Sequence, residues 1–123
     1  MESILEAGVT YIADRGYGSF EIIAKLMKGE AYFVFRVKDN LLYEVREVLA
    51  IAIEELSKCF REVRDELIIF KNDKHQNKVR LIQFKVARSY FRILTNRTDL
   101  SLLKIIILYA YRWQCRWRCF SSI

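Results

Sequence analysis

Hydrophobic and polar positions divide the first 40 residues into three short elements. Val9 to Ala13 is a β-branched and aromatic run, which is typical of a buried strand. Phe20 to Lys28 has apolar residues at helical spacing and predicts a helix that is capped by Ser19. Ala31 to Lys38 alternates as a second strand. The order strand, helix, strand predicts a crossover unit with two parallel strands.

The remaining pattern predicts more strands and a closing helix, so the fold class is α/β or α+β. We predict a strand at Leu42 to Val48, a helix at Leu49 to Glu62, strands at Glu66 to Phe70, Val79 to Val86 and Tyr90 to Leu94, and a helix from near Leu100. The last two strands are predicted to form a hairpin. Asp99 is the predicted cap of the final helix, and the positions predicted to be buried in it include Leu103, Ile106, Ile107 and Tyr111.

Composition and charge narrow the class of partner. The chain has 123 residues, of which 53% are hydrophobic and 29% charged, and this balance fits a single globular domain. Its net charge is +6. All of the excess lies after Arg61, since the residues up to Arg61 sum to −2 and the rest to +8, and it suggests an acidic partner such as nucleic acid, with a solvated basic face as the alternative. The candidate phosphate-binding residues are Lys78, Arg80, Lys85, Arg88, Arg92 and Arg97. Arg80 and Arg92 are predicted to share one face of the hairpin as a stripe.

The cellular compartment is predicted from cysteine usage and from apolar runs. Three cysteines cannot pair completely and no leader precedes the first predicted strand, so we expect a reduced, cytoplasmic protein. The longest apolar run, Leu100 to Tyr111, contains Lys104 and is shorter than the roughly 20 residues that a membrane span needs. We therefore interpret that run as a core helix.

Asp14 is the first candidate for chemistry. It follows the first predicted strand, and Gly16 and Gly18 allow the backbone to turn sharply behind it. A carboxylate at the carboxyl end of a strand can bind a divalent metal, although Mg²⁺ usually takes further oxygen ligands. An Asp14 that forms a salt bridge or caps a turn is the equal alternative.

The final helix carries a second candidate cluster. Tyr109, Arg112 and Arg116 are spaced by three and then four residues, which places them on one helical face. Aromatic and guanidinium groups can contact phosphates or stacked bases. The alternative is an aromatic core residue beside a basic surface.

Four motifs in order carry a resemblance to a known family. They are Ala-Asp-Arg-Gly-Tyr from Ala13, Tyr-Phe-Val-Phe-Arg-Val-Lys-Asp-Asn from Tyr32, Ile-Leu-Thr-Asn-Arg-Thr-Asp-Leu from Ile93, and Tyr-Ala-Tyr-Arg-Trp-Gln from Tyr109. In this order the motifs resemble the carboxyl-terminal part of a bacterial DDE transposase of the insertion sequence 4 family. The similarity extends from about Val9 to Gln114.

The resemblance implies a partial ribonuclease H-like mixed sheet with flanking helices and a β-rich insertion. In such a domain three carboxylates bind Mg²⁺ or Mn²⁺ for strand cleavage and transfer at transposon ends. Asp14 matches the second carboxylate, and Tyr109 and Arg112 match the tyrosine and arginine of the family's signature. The implied parts of this single domain are a strand-helix-strand core at 1–40, the insertion at 41–98 and the terminal helix at 99–123.

The chain departs from the family pattern at the other ligands. The first aspartate belongs upstream of these residues, the signature glutamate falls at Arg116, and the signature lysine falls at Ile123. Because arginine cannot ligate a metal, we expect a truncated, catalytically impaired member that does not hold a metal stably. The change in composition after Gln114 suggests a frameshift or divergence.

Two non-enzymatic roles remain as alternatives. One is a basic nucleic-acid-binding protein. The other is a fragment that associates with itself or with full-length transposase and inhibits it. Neither the family reading nor these alternatives involves a membrane or a small-molecule substrate.

Overall fold

The computed structural model describes residues 8–13, 20–37, 42–51, 60–71, 73–74 and 76–112. These residues form six strands and two helices. They are β1 (Thr10–Ala13), α1 (Phe20–Lys28), β2 (Tyr32–Arg36), β3 (Tyr43–Val48), β4 (Phe60–Phe70), β5 (Val79–Val86), β6 (Ser89–Thr95) and α2 (Leu102–Arg112). The mixed sheet and two helices confirm an α+β fold.

The first three elements form the predicted crossover unit. β1 pairs with β2 in parallel, with Thr10 opposite Tyr32 and Ala13 opposite Phe35. α1 has the predicted bounds and ends before Gly29. The amide of Gly29 donates to the carbonyl of Lys25 at 3.0 Å. Because the two strands run in the same direction, both have their carboxyl ends at the same end of the sheet. We call that end the Ala13 end and the opposite end the Thr10 end.

The strands of the predicted insertion continue the same sheet. The strand order is β1-β2-β6-β5-β4-β3, and all pairings after the first are antiparallel. β6 lies directly beside β2, with Phe35 opposite Leu94. β5 and β6 form the predicted hairpin around Ala87 and Arg88. The hairpin therefore connects the crossover unit to the outer strands and extends past β2 at the Ala13 end.

Each face of the sheet carries its own apolar cluster. On one face, Ile23 and Leu26 of α1 pack with residues such as Phe33, Leu81 and Leu94. On the other face, α2 packs over a cluster of buried side chains. Its members are Val34, Phe60, Ile82, Phe84, Val86, Phe91, Ile93, Leu102, Ile105, Ile106 and Tyr109. The alternation of side chains along each strand assigns them to these two faces.

α2 differs from its prediction in both its cap and its buried face. The hydroxyl of Ser101 accepts the Lys104 amide at 3.3 Å, so Ser101 is the N-cap and the prediction of Asp99 was wrong. Asp99 instead forms an ion pair with Arg97. The predicted burial of Tyr111 was also wrong, because its side chain is 84% exposed. The buried positions of this helix are Leu102, Ile105, Ile106, Tyr109 and Ala110.

The segment between β3 and β5 contains more strand than its pattern predicts. β4 begins at Phe60, so the last residues of the helix predicted at 49–62 belong to a strand. Most of that predicted helix lies outside the described residues. β4 is held by β5 on one side and by β3 on part of the other. These long-range pairings override the local helical spacing around Phe60.

The two described helices have 9 and 11 residues, and neither is long enough to cross a lipid bilayer.

Candidate nucleic-acid interface

The crossover unit defines where the candidate carboxylate stands in the chain. Asp14 immediately follows Ala13, the last residue of β1, and itself lies outside the described residues. Ile12, two residues earlier, packs against the apolar cluster beneath α2. The chain thus reaches Asp14 from the Ala13 end of the sheet.

α2 runs towards that same end. Leu100, just before the helix, lies beside Arg80 towards the Thr10 end, since its carbonyl accepts a hydrogen bond from the guanidinium at 2.6 Å. Two turns later the ring of Tyr109 meets Phe91 edge-on, with centroids 6.3 Å apart. Phe91 lies beyond the end of β2 on the hairpin, so α2 approaches the Ala13 end as it proceeds. Arg112 is its last residue.

Tyr109 is a core residue in this fold. Its side chain is 2% exposed and belongs to the cluster between α2 and the sheet. The position of Tyr109 therefore agrees with the alternative given for the final helix, in which this tyrosine is an aromatic core residue. Its contact with DNA stays a prediction, and such a contact would require the ring to leave the core.

Arg80 is held by the protein on several sides. Its Nε donates to Oδ1 of Asp65 at 2.8 Å, and its Nη1 donates to the carbonyl of Arg97 at 3.0 Å. Arg80 is 4% exposed and Asp65 is 1% exposed. The guanidinium thus connects β5 to the segment that leads into α2. A phosphate could reach it only after these hydrogen bonds break.

Arg97 also has protein partners, at the Thr10 end. Its Nη2 lies 2.7 Å from Oδ2 of Asp99, its Nη1 donates to the hydroxyl of Thr10 at 2.9 Å, and its guanidinium lies 4.3 Å from the ring centre of Tyr32. The hydrogen bond from Arg97 lowers the pKa of Asp99, and the same bond raises the pKa of Arg97. Through Arg97, the segment before α2 therefore contacts the start of β1.

The pairing register overturns the predicted stripe of Arg80 and Arg92. Arg80 lies opposite Thr95, whereas Arg92 lies opposite Gln83. Since neighbouring residues on a strand point to opposite faces, Arg80 faces α2 and Arg92 faces the other side. Lys85 shares the face of Arg92. The hairpin therefore carries Lys85 and Arg92 together and separates them from Arg80.

The same face contains two basic residues that the sequence analysis missed. Arg61 lies opposite Lys85, and Arg64 lies opposite Gln83, both on the neighbouring strand β4. They fell within or beside a predicted helix, so no strand face was assigned to them. The net positive charge of the second half of the chain was the signal in the sequence for such a surface. A net charge does not show which basic residues lie together.

A complete metal site is not present in the described part of the chain. Within those ranges no three His, Cys, Asp or Glu residues come together in a way that could hold an ion. Asp65 and Asp99 are engaged by arginines. The described residues therefore do not fit a metal centre, and Asp14 would need ligands from outside them.

Nearly the whole chain matches the model of one protein family. The model of the family described as transposase DDE domain matches residues 1–115. Because the match covers nearly the whole sequence, the chain belongs to the transposase DDE domain family. No match was found among curated proteins.

This membership supports a transposase-family function. DNA is the general partner of such a domain, and the family normally uses divalent metal ions.

Proposed function

We propose that this chain is an insertion sequence 4-type member of the transposase family that binds transposon-end DNA at the Ala13 end of its sheet. The supporting observation is the convergence of β1, β2 and α2 on that end. β1 leads directly to Asp14, and α2 reaches the same end through Tyr109 and Arg112. This is the order in which the family resemblance places its second carboxylate and its signature helix.

Asp14 is the metal ligand of this proposal. Asp14 is the residue that follows Ala13 in the chain, and Ala13 ends β1 at the end of the sheet where we propose that DNA binds. The described residues supply no second ligand. We therefore assign Asp14 a share of a site that needs oxygen ligands from elsewhere.

The 123-residue chain by itself is proposed to bind DNA without cutting it. Arg116 occupies the position of the signature glutamate, and a guanidinium cannot serve as a metal ligand. Its positive charge would also oppose a cation. Loss of a carboxylate ligand removes the template that orients the attacking and leaving oxygens in two-metal strand transfer.

The test of binding uses fluorescein-labelled duplex DNA and fluorescence anisotropy. We expect the affinity to fall steeply as the salt concentration rises from low to physiological, because phosphate contacts release counterions. A chain that shows no binding at low salt would overturn the proposed function.

The test of catalysis uses supercoiled plasmid with Mg²⁺ or Mn²⁺. We expect nicking at the background level for the natural chain and for Asp14→Ala alike. Nicking that Asp14→Ala abolishes would show that the natural chain is active and that its proposed impairment is wrong. Nicking that persists in Asp14→Ala would indicate a contaminating nuclease. Repeating the assay with repurified protein should then remove the nicking.

An inhibitory role through association is the second candidate. The described sheet has two edge strands, β1 and β3, and β1, whose register with β2 contains no bulge, is paired on one side only; an edge of this kind favours pairing with another chain. Self-association in light scattering together with suppression of DNA binding by excess chain would favour this role. A monomer that unfolds cooperatively would count against it.

A further inference from the structure

Lys85 and Arg92 lie on the same face of the sheet as the apolar cluster beneath α1. Two rows of side chains cross β4, β5 and β6 there. One row is Arg64, Gln83 and Arg92, and the next is Arg61, Lys85 and Tyr90. Adjacent strands are about 4.8 Å apart and residues of one face repeat every ~7 Å, so the patch measures about 10 by 7 Å.

A β-bulge in β4 creates these rows. Between Arg61 and Arg64 the strand advances by three residues while β5 advances by two. Glu62 takes a positive φ of 51° at this point. In a regular strand, residues three apart point to opposite faces. The extra residue brings both arginines to one face, which is how bulges re-aim side chains.

The patch is rich in cationic donors and poor in carboxylates. Arg61 and Arg64 are exposed, and Lys85 is half-buried. Between Arg64 and Arg92 lies Gln83, whose Nε2 has no hydrogen-bond partner among the described residues. Among the described residues the nearby acids are Glu62, which is exposed in the bulge between Arg61 and Arg64, and Glu66, one row away opposite Leu81. The patch therefore carries a clear excess of positive charge.

The apolar cluster beneath α1 stops short of the patch. On β5 and β6 it ends at Leu81 and Leu94, one row before Gln83 and Arg92. Beyond that row the exposed side chains include Arg61, Arg64 and Tyr90, the last 41% exposed. α1 thus leaves Arg61, Arg64 and Tyr90 outside the core that it covers, whereas Gln83 between the two arginines Arg64 and Arg92 is 2% exposed.

We propose that this patch, which we call the bulge patch (Arg61, Arg64, Lys85 and Arg92), binds the phosphodiester backbone of duplex DNA. The inference rests on the proposed function and locates its DNA contacts. The patch lies at the Ala13 end, since β4 begins, β5 ends and β6 begins there. A backbone held on it passes the end of the sheet that leads to Asp14.

The described residues at the opposite end of the sheet do not form an equivalent surface. Its two buried or half-buried arginines, Arg80 and Arg97, are engaged by Asp65 and Asp99. Its exposed lysines, Lys71, Lys74 and Lys78, lie along the connection from β4 to β5. Asp73, in the same connection, accepts the Asn77 amide at 2.8 Å and adds negative charge among them.

Those lysines supply a matched control for the experiment. The test variant is Arg61→Gln/Arg64→Gln/Lys85→Gln, and the control is Lys71→Gln/Lys74→Gln/Lys78→Gln. Each removes three positive charges from the full chain, so the net charge is equal in both. Fluorescence anisotropy with a labelled duplex of random sequence measures affinity as a function of salt. Circular dichroism and thermal unfolding verify that each variant folds.

We expect the test variant to lose about ten-fold or more in affinity and its salt slope to fall by about 2 to 3, near 0.9 for each lost phosphate contact. The control should lose less than about three-fold with little change in slope. Arg61→Lys/Arg64→Lys, which keeps the charge, should retain most of the affinity. This rescue separates phosphate contact from the structural role of the bond between Arg61 and the Ala87 carbonyl.

Equal losses in the two triple variants would overturn the bulge patch while leaving DNA binding intact. The bulge patch is also overturned if Arg61→Lys/Arg64→Lys folds natively but does not retain the affinity for DNA. If the natural chain does not bind the duplex at all, the proposed function fails and the patch fails with it. A single-stranded RNA that binds more tightly than the duplex, through the same three residues, would overturn the assignment to duplex DNA.

Discussion

Burial of a guanidinium in an apolar interior is unfavourable unless its charge and donors are satisfied. Arg80 meets this condition with Asp65 and with two carbonyls of the segment before α2. One side chain therefore connects three parts of the fold: β4, β5 and the entrance to α2. The charge at this position has protein partners in the native fold, and its contact with DNA stays a prediction.

Asp65→Asn tests that interaction at the residue scale. The amide is similar in size but leaves the buried cation without its counter-charge, and we expect a loss of about 3 to 5 kcal/mol in the free energy of unfolding. Urea unfolding monitored by circular dichroism measures it. Asp99→Asn is the control, because it breaks the exposed pair with Arg97 and should change stability only slightly. Equal effects of the two substitutions would contradict the role of burial.

At the scale of the element, α2 shows how the sheet selects a helix face. Its sequence is apolar at most positions, so more than one face could be buried. Packing against the sheet, where α2 lies nearest to β1 and β2, selects Leu102, Ile105, Ile106 and Tyr109. Tyr111 consequently faces away. The resemblance to the family's signature drew attention to Tyr109, and its burial indicates that it positions the helix.

Tyr109→Ala and Tyr111→Ala compare the two tyrosines of this helix. The first leaves a cavity beside Phe91, and we expect it to cost about 3 to 5 kcal/mol. The second removes an exposed side chain and should change stability by less than about 0.5 kcal/mol. Chemical denaturation of both variants under one set of conditions gives the comparison. A larger loss for Tyr111→Ala would mean that α2 packs on its other face.

At the scale of the whole molecule, the strand order distributes stability unevenly. β5 and β6 each have a neighbour on both sides and apolar clusters on both faces. β3 is an edge strand, has a bulge near Arg46 and is largely exposed. Such an edge has few buried contacts, and edge bulges discourage pairing with other chains. The rigid centre of the molecule is therefore the hairpin that also carries part of the bulge patch.

Hydrogen exchange measured by mass spectrometry tests this distribution. We expect the slowest exchange in peptides covering 81–86 and 91–95, and the fastest strand exchange in 43–48, because amides in central strands open only in larger unfolding events. β1 should exchange faster than β5, since the described residues pair with it only through β2. Equal protection of β3 and β5 would contradict the strand order.

Local signals in the sequence were sufficient for some elements and not for others. The glycine after Lys28 and the alternation around Val34 and Phe84 define α1, β2 and β5, because each depends on residues adjacent in the chain. The beginning of β4 was missed, because Phe60 becomes a strand residue only through its pairing with Val86. Asp99 was taken for a cap because its type is favourable, whereas the contact of Arg97 with it left that role to Ser101.

The amino-acid sequence by itself determined the parallel crossover unit, the hairpin of β5 and β6, the closing helix, the excess of positive charge and the resemblance to transposases. These features follow from short-range patterns and from residue types. Only the tertiary structure decided which basic side chains are engaged and which share a face. The reason is that a face depends on pairing register, and one extra residue, as between Arg61 and Arg64, reverses the alternation that a sequence pattern assumes.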